Sequence, residues 1–264
     1  MKRLLLLGLF ASSAGVCSAA GAQDFSQQTI STDRPGIPFG TSTVPTGHLQ
    51  IESGVPTFQN SEIPGGNSLL LSTPAFLRYG VTNSFELQLG VSPYNRLTTH
   101  SFGQSDSVRG TGDIQLGAKY ALLAGGAGTP AITLVGFVTA PTGGSAFSGG
   151  RPAYNLNLVT GWKLGDSSGL TTMISYTRSP IAGDRHVDSG TLALSLSHSF
   201  SGRLGAYVEA GYFPGFRNAA DTALAGAGVT YLLTNHLQVD GFFDVGLNRA
   251  SPNSLVGTGI SFLF

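Results

Sequence analysis

The sequence predicts an all-β protein: a transmembrane antiparallel up-and-down β-barrel of about 12 strands, with a short N-terminal segment tucked at its periplasmic mouth. Three observations predict it. The chain opens on a secretory leader; it is poor in charge yet carries no long apolar run; and its segments alternate apolar and polar residues at period two, joined by connections that alternate long and short.

Met1-Lys2-Arg3 is a basic start, Leu4 to Val16 a short apolar run, and Ala20-Gly21-Ala22 the small-x-small pattern of a signal-peptidase site, so cleavage is expected after Ala22. The run is shorter than the roughly 20 residues a spanning helix needs. Cys17 lies in the leader behind Gly15-Val16, a poor match to a lipidation signal, and it is the only cysteine. The mature chain therefore has no disulfide, thiolate metal site or cysteine nucleophile. This divides the chain into a signal peptide (1–22), an N-terminal periplasmic or lumen segment (23–45) and a barrel (46–264).

Removing Lys2 and Arg3 from 14 basic residues leaves 12 against 14 acidic, a mature charge near −2, without the basic face that a nucleic-acid partner requires. Charged residues are 11% of the chain, against about 25% in an ordinary soluble domain. A secreted all-β protein and an outer-membrane barrel both fit that composition, and strand patterning and connection lengths separate them.

In "SFELQLGVS", Phe85, Leu87, Leu89 and Val91 oppose Glu86, Gln88, Gly90 and Ser92; "LQVDGFFDVGLN" opposes Leu237, Val239, Phe243, Val245 and Leu247 to Gln238, Asp240, Asp244 and Asn248. Comparable segments fall at 46–55, 67–80, 109–123, 130–141, 151–164, 169–179, 188–200, 203–213, 221–233 and 254–264. The connections "PTFQNSEIPGGN", "PYNRLTTHSFGQSDSV", "PTGGSAFSGG", "SPIAGDRH" and "FPGFRNAA" are long. Those between them, such as "VTN", "GDSS" and "TNH", are short. A barrel with short periplasmic turns and long external loops sorts its connections this way, and both termini are then periplasmic. The last segment, "VGTGISFLF", sets Val256, Thr258, Ile260, Phe262 and Phe264 on one face and ends on an aromatic residue, the signature that would engage the barrel-assembly machinery.

Charge follows parity. Glu52, Arg78, Glu86, Asp113, Lys119, Lys163, Glu209, Asp240 and Asp244 all fall opposite the apolar set, toward the lumen. A basic residue facing lipid at the midplane would cost about 2–4 kcal/mol. These inward charges fit two arrangements equally, cross-strand pairs that fill a closed interior and the wall of a conducting pathway. Trp162, Tyr79, Tyr120, Tyr176 and Tyr212 take the outward parity, where aromatic girdles meet outer-membrane lipid.

Catalytic chemistry finds little support. In "SLSHSF" the neighbours Ser197, His198 and Ser199 alternate faces, and His198 shares the outward parity of Leu192, Leu194 and Leu196. Asp184, Arg185, His186 and Asp188 cluster in an external loop, where one histidine with spaced acids is weak evidence for metal. "LLAGGAGTP" lacks the lysine and helix of a phosphate loop. The expectation is a non-enzyme without cofactor or metal.

"STDRPGIPFGTSTVPTGHLQIESG", with Thr32-Asp33-Arg34-Pro35, Pro45-x-Gly47 and Gln-x-Glu-x-Gly, resembles the N-terminal signature of the outer-membrane transporters labelled as the meta-pathway of phenol degradation family. "GTGDIQLGAKYAL" (110–122) and "VTAPTGG" (138–144) are similar to two internal blocks, and the resemblance runs from about Ser31 to Phe264. It implies a bacterial outer-membrane barrel often found with degradation of aromatic compounds. The expected function is a passive channel for a small, aromatic or hydrophobic solute, and the alternative is a structural or adhesive barrel with a closed lumen. Pro35 and Pro38 keep "STDRPGIPFG" out of a strand interior. Asp33 and Arg34 are expected to pair with inward charges there and form a constriction or gate.

Overall fold

The computed structural model describes residues 25–126, 128–181, 185–217 and 219–264, omitting the side chain of Arg217. The leader with its cleavage site, and Asp184, lie outside the described residues. A 3-10 turn at Phe25–Gln27 precedes β1 (Leu49–Ile63), β2 (Gly66–Ser72), β3 (Ala75–Thr82), β4 (Phe85–Val91), β5 (Asn95–Ser101), β6 (Gln104–Gly110), β7 (Ile114–Gly126) and β8 (Thr129–Ala140). There follow β9 (Ala153–Leu164), β10 (Ser168–Ile181), β11 (Arg185–Ser199), β12 (Leu204–Phe213), β13 (Gly215–Arg217), β14 (Thr222–Thr234), β15 (Leu237–Gly246) and β16 (Ser254–Leu263).

Strands β1, β3, β4, β7 to β12 and β14 to β16 make a closed 12-membered antiparallel ring, in which β16 returns to β1 from Gln50↔Leu263 to Asn60↔Ser254. Closure leaves the ring no edge strand. Leu49 and Phe264 exchange backbone hydrogen bonds, so the barrel begins and finishes at one end, the terminal end.

Three segments expected as long loops carry strands instead, one of them "FPGFRNAA" with the short β13 against β11. "PTFQNSEIPGGN" carries β1 onward to Ile63 and turns into β2, while "PYNRLTTHSFGQSDSV" becomes the β5–β6 hairpin. The upper half of β1 with β2, β5 and β6 forms a four-stranded crown beyond the ring at the far end. Outside the hydrocarbon layer both faces of a strand are wet, so β5, β6 and the part of β1 past Phe58 show none of the contrast that reveals a lipid-facing strand. Crown and ring are separated by interruptions at Gly54/Thr57, Thr73-Pro74, Ser92 to Tyr94 and Thr111 to Asp113. Pro56, Pro74 and Pro93, which lack a donor, fall at three of them.

Below the crown, alternation sorts the faces. Leu87, Leu116, Leu156, Ile174 and Val208 are exposed toward lipid, as are Tyr79, Tyr120, Tyr176 and Tyr212 near the strand ends; Trp162 is half-buried. The lumen side is not uniformly polar. Val135, Phe137, Val159, Met173 and Ala193 are buried there on β8 to β11. At the far end Tyr212 donates to Asp221 (2.5 Å), which also accepts the Gly215 N–H (2.8 Å). These two bonds hold the Asp221 carboxyl below its ordinary pKa and fix the β12–β14 connection.

Candidate functional site

Residues 30–46 do not stop at the mouth. They run into the lumen and back out, as a lobe whose two limbs both meet the wall at the terminal end. On the inbound limb the Phe25 ring stacks between His48 and His236 (centroids 4.2 and 4.1 Å), and the Ile30 N–H donates to Asn235 O (2.8 Å). On the outbound limb Thr46 Oγ1 donates to Asn83 Oδ1 (2.7 Å) and the Gly47 N–H to Gly80 O (2.7 Å). Ile30 and Val44 bury together with Leu263 between the limbs.

The neck of the lobe is held by Arg78 on β3. Its Nη1 donates to Ser31 O (3.2 Å) and its Nη2 to Ser42 O (3.1 Å), so one guanidinium clasps both limbs. Glu52 (2.6 Å to Nη1) and Glu86 (2.8 Å to Nε) neutralise it, and Asp33 lies 3.4 Å from Nε. Arg78, Glu52 and Glu86 are all about fully buried. Planar, bidentate recognition of this kind suits arginine, not lysine. The same carboxylates bind the lobe's backbone: Glu52 accepts the N–H groups of Asp33 and Arg34 (3.0 and 2.9 Å), and Glu86 accepts that of Val44 (2.6 Å).

Asp33 and Arg34 point to different walls. The Asp33 carboxylate takes Lys119 Nζ at 2.6 and 2.7 Å and the Gly40 N–H at 2.9 Å, bracing the lobe internally. Arg34 Nη2 reaches Asp240 at 3.2 Å. At the apex Gly36 adopts φ +126, a left-handed value few other residues tolerate, which presents the Ile37 N–H to Glu209 at 2.6 Å. Ile37 and Phe39 then pack on the apolar wall, with Phe39 tilted against Phe137 and Phe76 edge-on to it (centroids 5.7 and 6.1 Å).

The structure thus brings together Asp33, Arg34, Glu52, Arg78, Glu86, Lys119, Glu209 and Asp240 around one lobe. Asp244 is buried on the lumen wall beside it. Asp113 is elsewhere, and Lys163 sits at the terminal mouth, lining a cavity with the lobe's Thr41 and Ser42. Asp113 accepts the Gly143 and Gly149 N–H groups (2.8 and 3.2 Å), anchoring the β8–β9 connection at the far mouth, and Lys163 is exposed at the end of β9. His198 is exposed at the terminal rim, 2.9 Å from Ser168 Oγ. Neutral side chains outside the charged set also hold the lobe: Gln50 donates to Ser31 O (2.9 Å), Gln88 to Asp33 (3.3 Å), Thr133 to Thr41 O (2.7 Å) and Gln238 to Thr32 Oγ1 (2.9 Å). Gln50, Gln88 and Gln238 share strand parity with Glu52, Glu86 and Asp240, a signal available in the sequence.

Gly80 shows how closely lobe and wall fit. A Cβ there would collide with the carbonyl oxygens of Val44 and Pro45, which are backbone and cannot swing aside. Gly80→Val is therefore expected to loosen the outbound limb, with amide exchange in residues 43–47 faster by about tenfold or more while the barrel itself stays protected. Unchanged exchange there would contradict the fit.

Cavities flank the lobe. On the far side about 460 Å³ opens between Phe39, Phe76, Phe213, Phe242 and Leu224, with Asp33, Arg34, Glu52, Gln59, Thr222 and Asp244 as its polar lining. On the terminal side about 300 Å³ lies between the lobe and Thr171, Ser195, Tyr207 and Gln238. Residues Asp33 to Gly36 and Phe39 line both, so the lobe apex is the partition between them.

The family described as MetA-pathway of phenol degradation matches residues 32–264. Among solved structures, the COG4313 outer membrane channel from Pseudomonas putida F1 is similar at TM-score 0.68 and 15% identity, over 87% of this chain and 100% of that one. The NanC porin is similar at TM-score 0.56 and 9% identity (81% and 98% covered). The translocator domain of the autotransporter NalP from Neisseria meningitidis is similar at 0.53 and 12% (83% and 89%). No curated protein matches the sequence. At these identities the likeness is one of fold, and a closed 12-stranded barrel of this kind resides in the bacterial outer membrane. The sequence match runs from Thr32, inside the lumen lobe, to Phe264 at the barrel seam, and the chain belongs to the MetA-pathway of phenol degradation family.

Proposed function

We propose that the protein is a passive outer-membrane channel for a small aromatic or otherwise hydrophobic solute, with the lobe of residues 32–41 as its gate. The observation that carries this reading is the partition. Two cavities lie on the two sides of one peptide lobe, and the larger, at about 460 Å³ and walled by phenylalanines, falls in the size range of small-molecule sites. Asp33 and Arg34 latch the lobe to Lys119 and Asp240, and passage requires the apex to swing from between the cavities. The last strand, ending at Phe264, is the segment we assign to recognition by the assembly machinery.

Purified protein in planar bilayers and in solute-loaded liposomes tests the channel. Single-channel steps and flux of a neutral aromatic such as benzyl alcohol are expected. A bilayer without steps, together with liposomes without flux, would leave a closed structural barrel as the reading. The charge balance adds a second expectation. Among the described residues the lobe and its seats carry three cations (Arg34, Arg78, Lys119) against six carboxylates (Asp33, Glu52, Glu86, Glu209, Asp240, Asp244). Confined fields of one sign concentrate counter-ions, so potassium should permeate over chloride by about threefold or more. The reversal potential in a salt gradient measures this ratio, and Asp244→Asn with Glu209→Gln should bring it toward unity.

A further inference from the structure

We propose that the outward face of the crown binds the phosphorylated glycolipid of the outer leaflet, with Arg96 and Arg109 as its phosphate ligands. One hydrogen-bonded row runs across six strands. Phe243 on β15 pairs with Val256 on β16, which pairs with Phe58 on β1; the row continues through Leu71 on β2 to Arg96 on β5 and Arg109 on β6. Cross-strand partners share a face, and Phe243 and Val256 are exposed on the lipid side, so the whole row faces outward. Its apolar members belong to the membrane band. The row leaves that band at Arg96, just past the exposed Tyr94.

The two arginines are direct cross-strand partners and both are exposed. Like charges in that position repel and destabilise a sheet. Among the described residues neither is in an ion pair. Their neighbours on the outward face are Leu69, Thr98, His100, Ser105 and Ser107, with Glu62 two strands away from β5 and four residues up β1 from the row. Asp106 has the opposite parity and pairs with Thr99 on the lumen side. The compensating charge must come from outside the chain.

The local arrangement suits a phosphate at a membrane surface. Ser107 Oγ accepts from Arg96 Nε (3.0 Å), which fixes the guanidinium and leaves its terminal N–H groups free to face outward. Thr98 Oγ1 lies 3.4 Å from the same Ser107 hydroxyl. Guanidinium forks bind phosphate bidentately. Phe58, Leu69 and Leu71 lie beside the pair to take acyl chain. The far end is external by the loop asymmetry of such barrels, and the external leaflet of an outer membrane is built of phosphorylated glycolipid. A soluble anion would have no use for the apolar half of the row.

The test uses the full mature protein in mild detergent, with lipopolysaccharide, the same lipopolysaccharide dephosphorylated, and inorganic phosphate as probes, and lipid adducts counted by native mass spectrometry. The intact glycolipid should bind at least about tenfold tighter than the dephosphorylated form. R96Q/R109Q should lose that difference while keeping the heat-modifiable mobility of a folded barrel. The proposal is overturned if the double variant retains the preference, or if the dephosphorylated glycolipid binds equally well. Displacement of the lipid by inorganic phosphate at matched concentration would reassign the pair to a small anion and overturn it too.

Discussion

Replacing residues 32–41 with Gly-Gly is expected to raise single-channel conductance by roughly fivefold or more, because a barrel of this strand number is wide enough inside for side chains alone to leave a passage. The excision is geometrically mild. The carbonyls of Ser31 and Ser42 already bind the two ends of the Arg78 guanidinium, so a two-residue bridge rejoins chain that is nearly in contact. It removes the partition between the cavities together with the Asp33–Lys119 and Arg34–Asp240 pairs. Water entering the lumen then solvates Lys119 and Asp240. The seats at Arg78, Val44 and Ile30 remain, and heat-modifiable mobility should report an intact barrel. Conductance equal to that of the parent would sink the gate reading, because the lobe would then not be what limits flow. Arg34→Ala alone should give a smaller change, since it loses one pair and leaves the Asp33 brace in place.

Arg78→Met is expected to destabilise the seated lobe by about 3–5 kcal/mol, the range for removing one partner from a buried ion pair. The side chain is buried, donates to two carboxylates and two backbone carbonyls, and faces a third carboxylate at 3.4 Å. Its loss leaves Asp33, Glu52 and Glu86 crowded around an apolar group. The cost should fall on the lobe and not on the ring, because the hydrogen-bond ladder of β3 does not depend on that side chain. Hydrogen exchange is the measurement: residues 31–44 should lose protection by two or more orders of magnitude, and β8 to β11 should keep theirs. Arg78→Met with Glu86→Gln should recover part of the loss, since one of the stranded charges is then neutral. Unaltered protection in Arg78→Met would show that the clasp carries no energy.

What the sequence made legible follows from where lipid is. Strands such as 84–92 and 237–248 declare themselves because bilayer on one side and polar lumen on the other enforce period two. Strands β5 and β6 and the part of β1 past Phe58 escape because both their faces meet water, and Gln59, Asn60 and Ser61 alternate nothing; β2 falls within the expected segment 67–80, which Thr73-Pro74 divides from β3. Segment 130–141 hides its lumen face for the opposite reason. Val135 and Phe137 are as apolar as Leu134 and Val138, since the lobe covers that wall and turns it into a dry interior. Charge parity located the wall residues of the site, because a buried charge has one tolerable side. It could not rank them: Asp113 and Lys163 obey the same parity, yet Asp113 stands at the far mouth away from the lobe, and Lys163 lines a cavity beside the lobe's Thr41 and Ser42 without bonding it. The depth of the lobe was invisible, since Ser31, Gly40 and Ser42 bind through backbone atoms that every residue possesses.

The lobe's position in the chain carries a consequence for how the molecule is made. Its residues emerge from the ribosome before every barrel strand, yet its partners Glu209, Gln238 and Asp240 sit on β12 and β15, and Phe25 rests against His236, with His48 holding the Phe264 carbonyl. None of those surfaces exists until the final hairpins are in place. A segment made before the barrel strands is therefore the last to find its seat, and a half-built barrel has an unoccupied bore. The order of synthesis and the order of locking run in opposite directions, so a seated lobe is a certificate that every stave of the cask has been set.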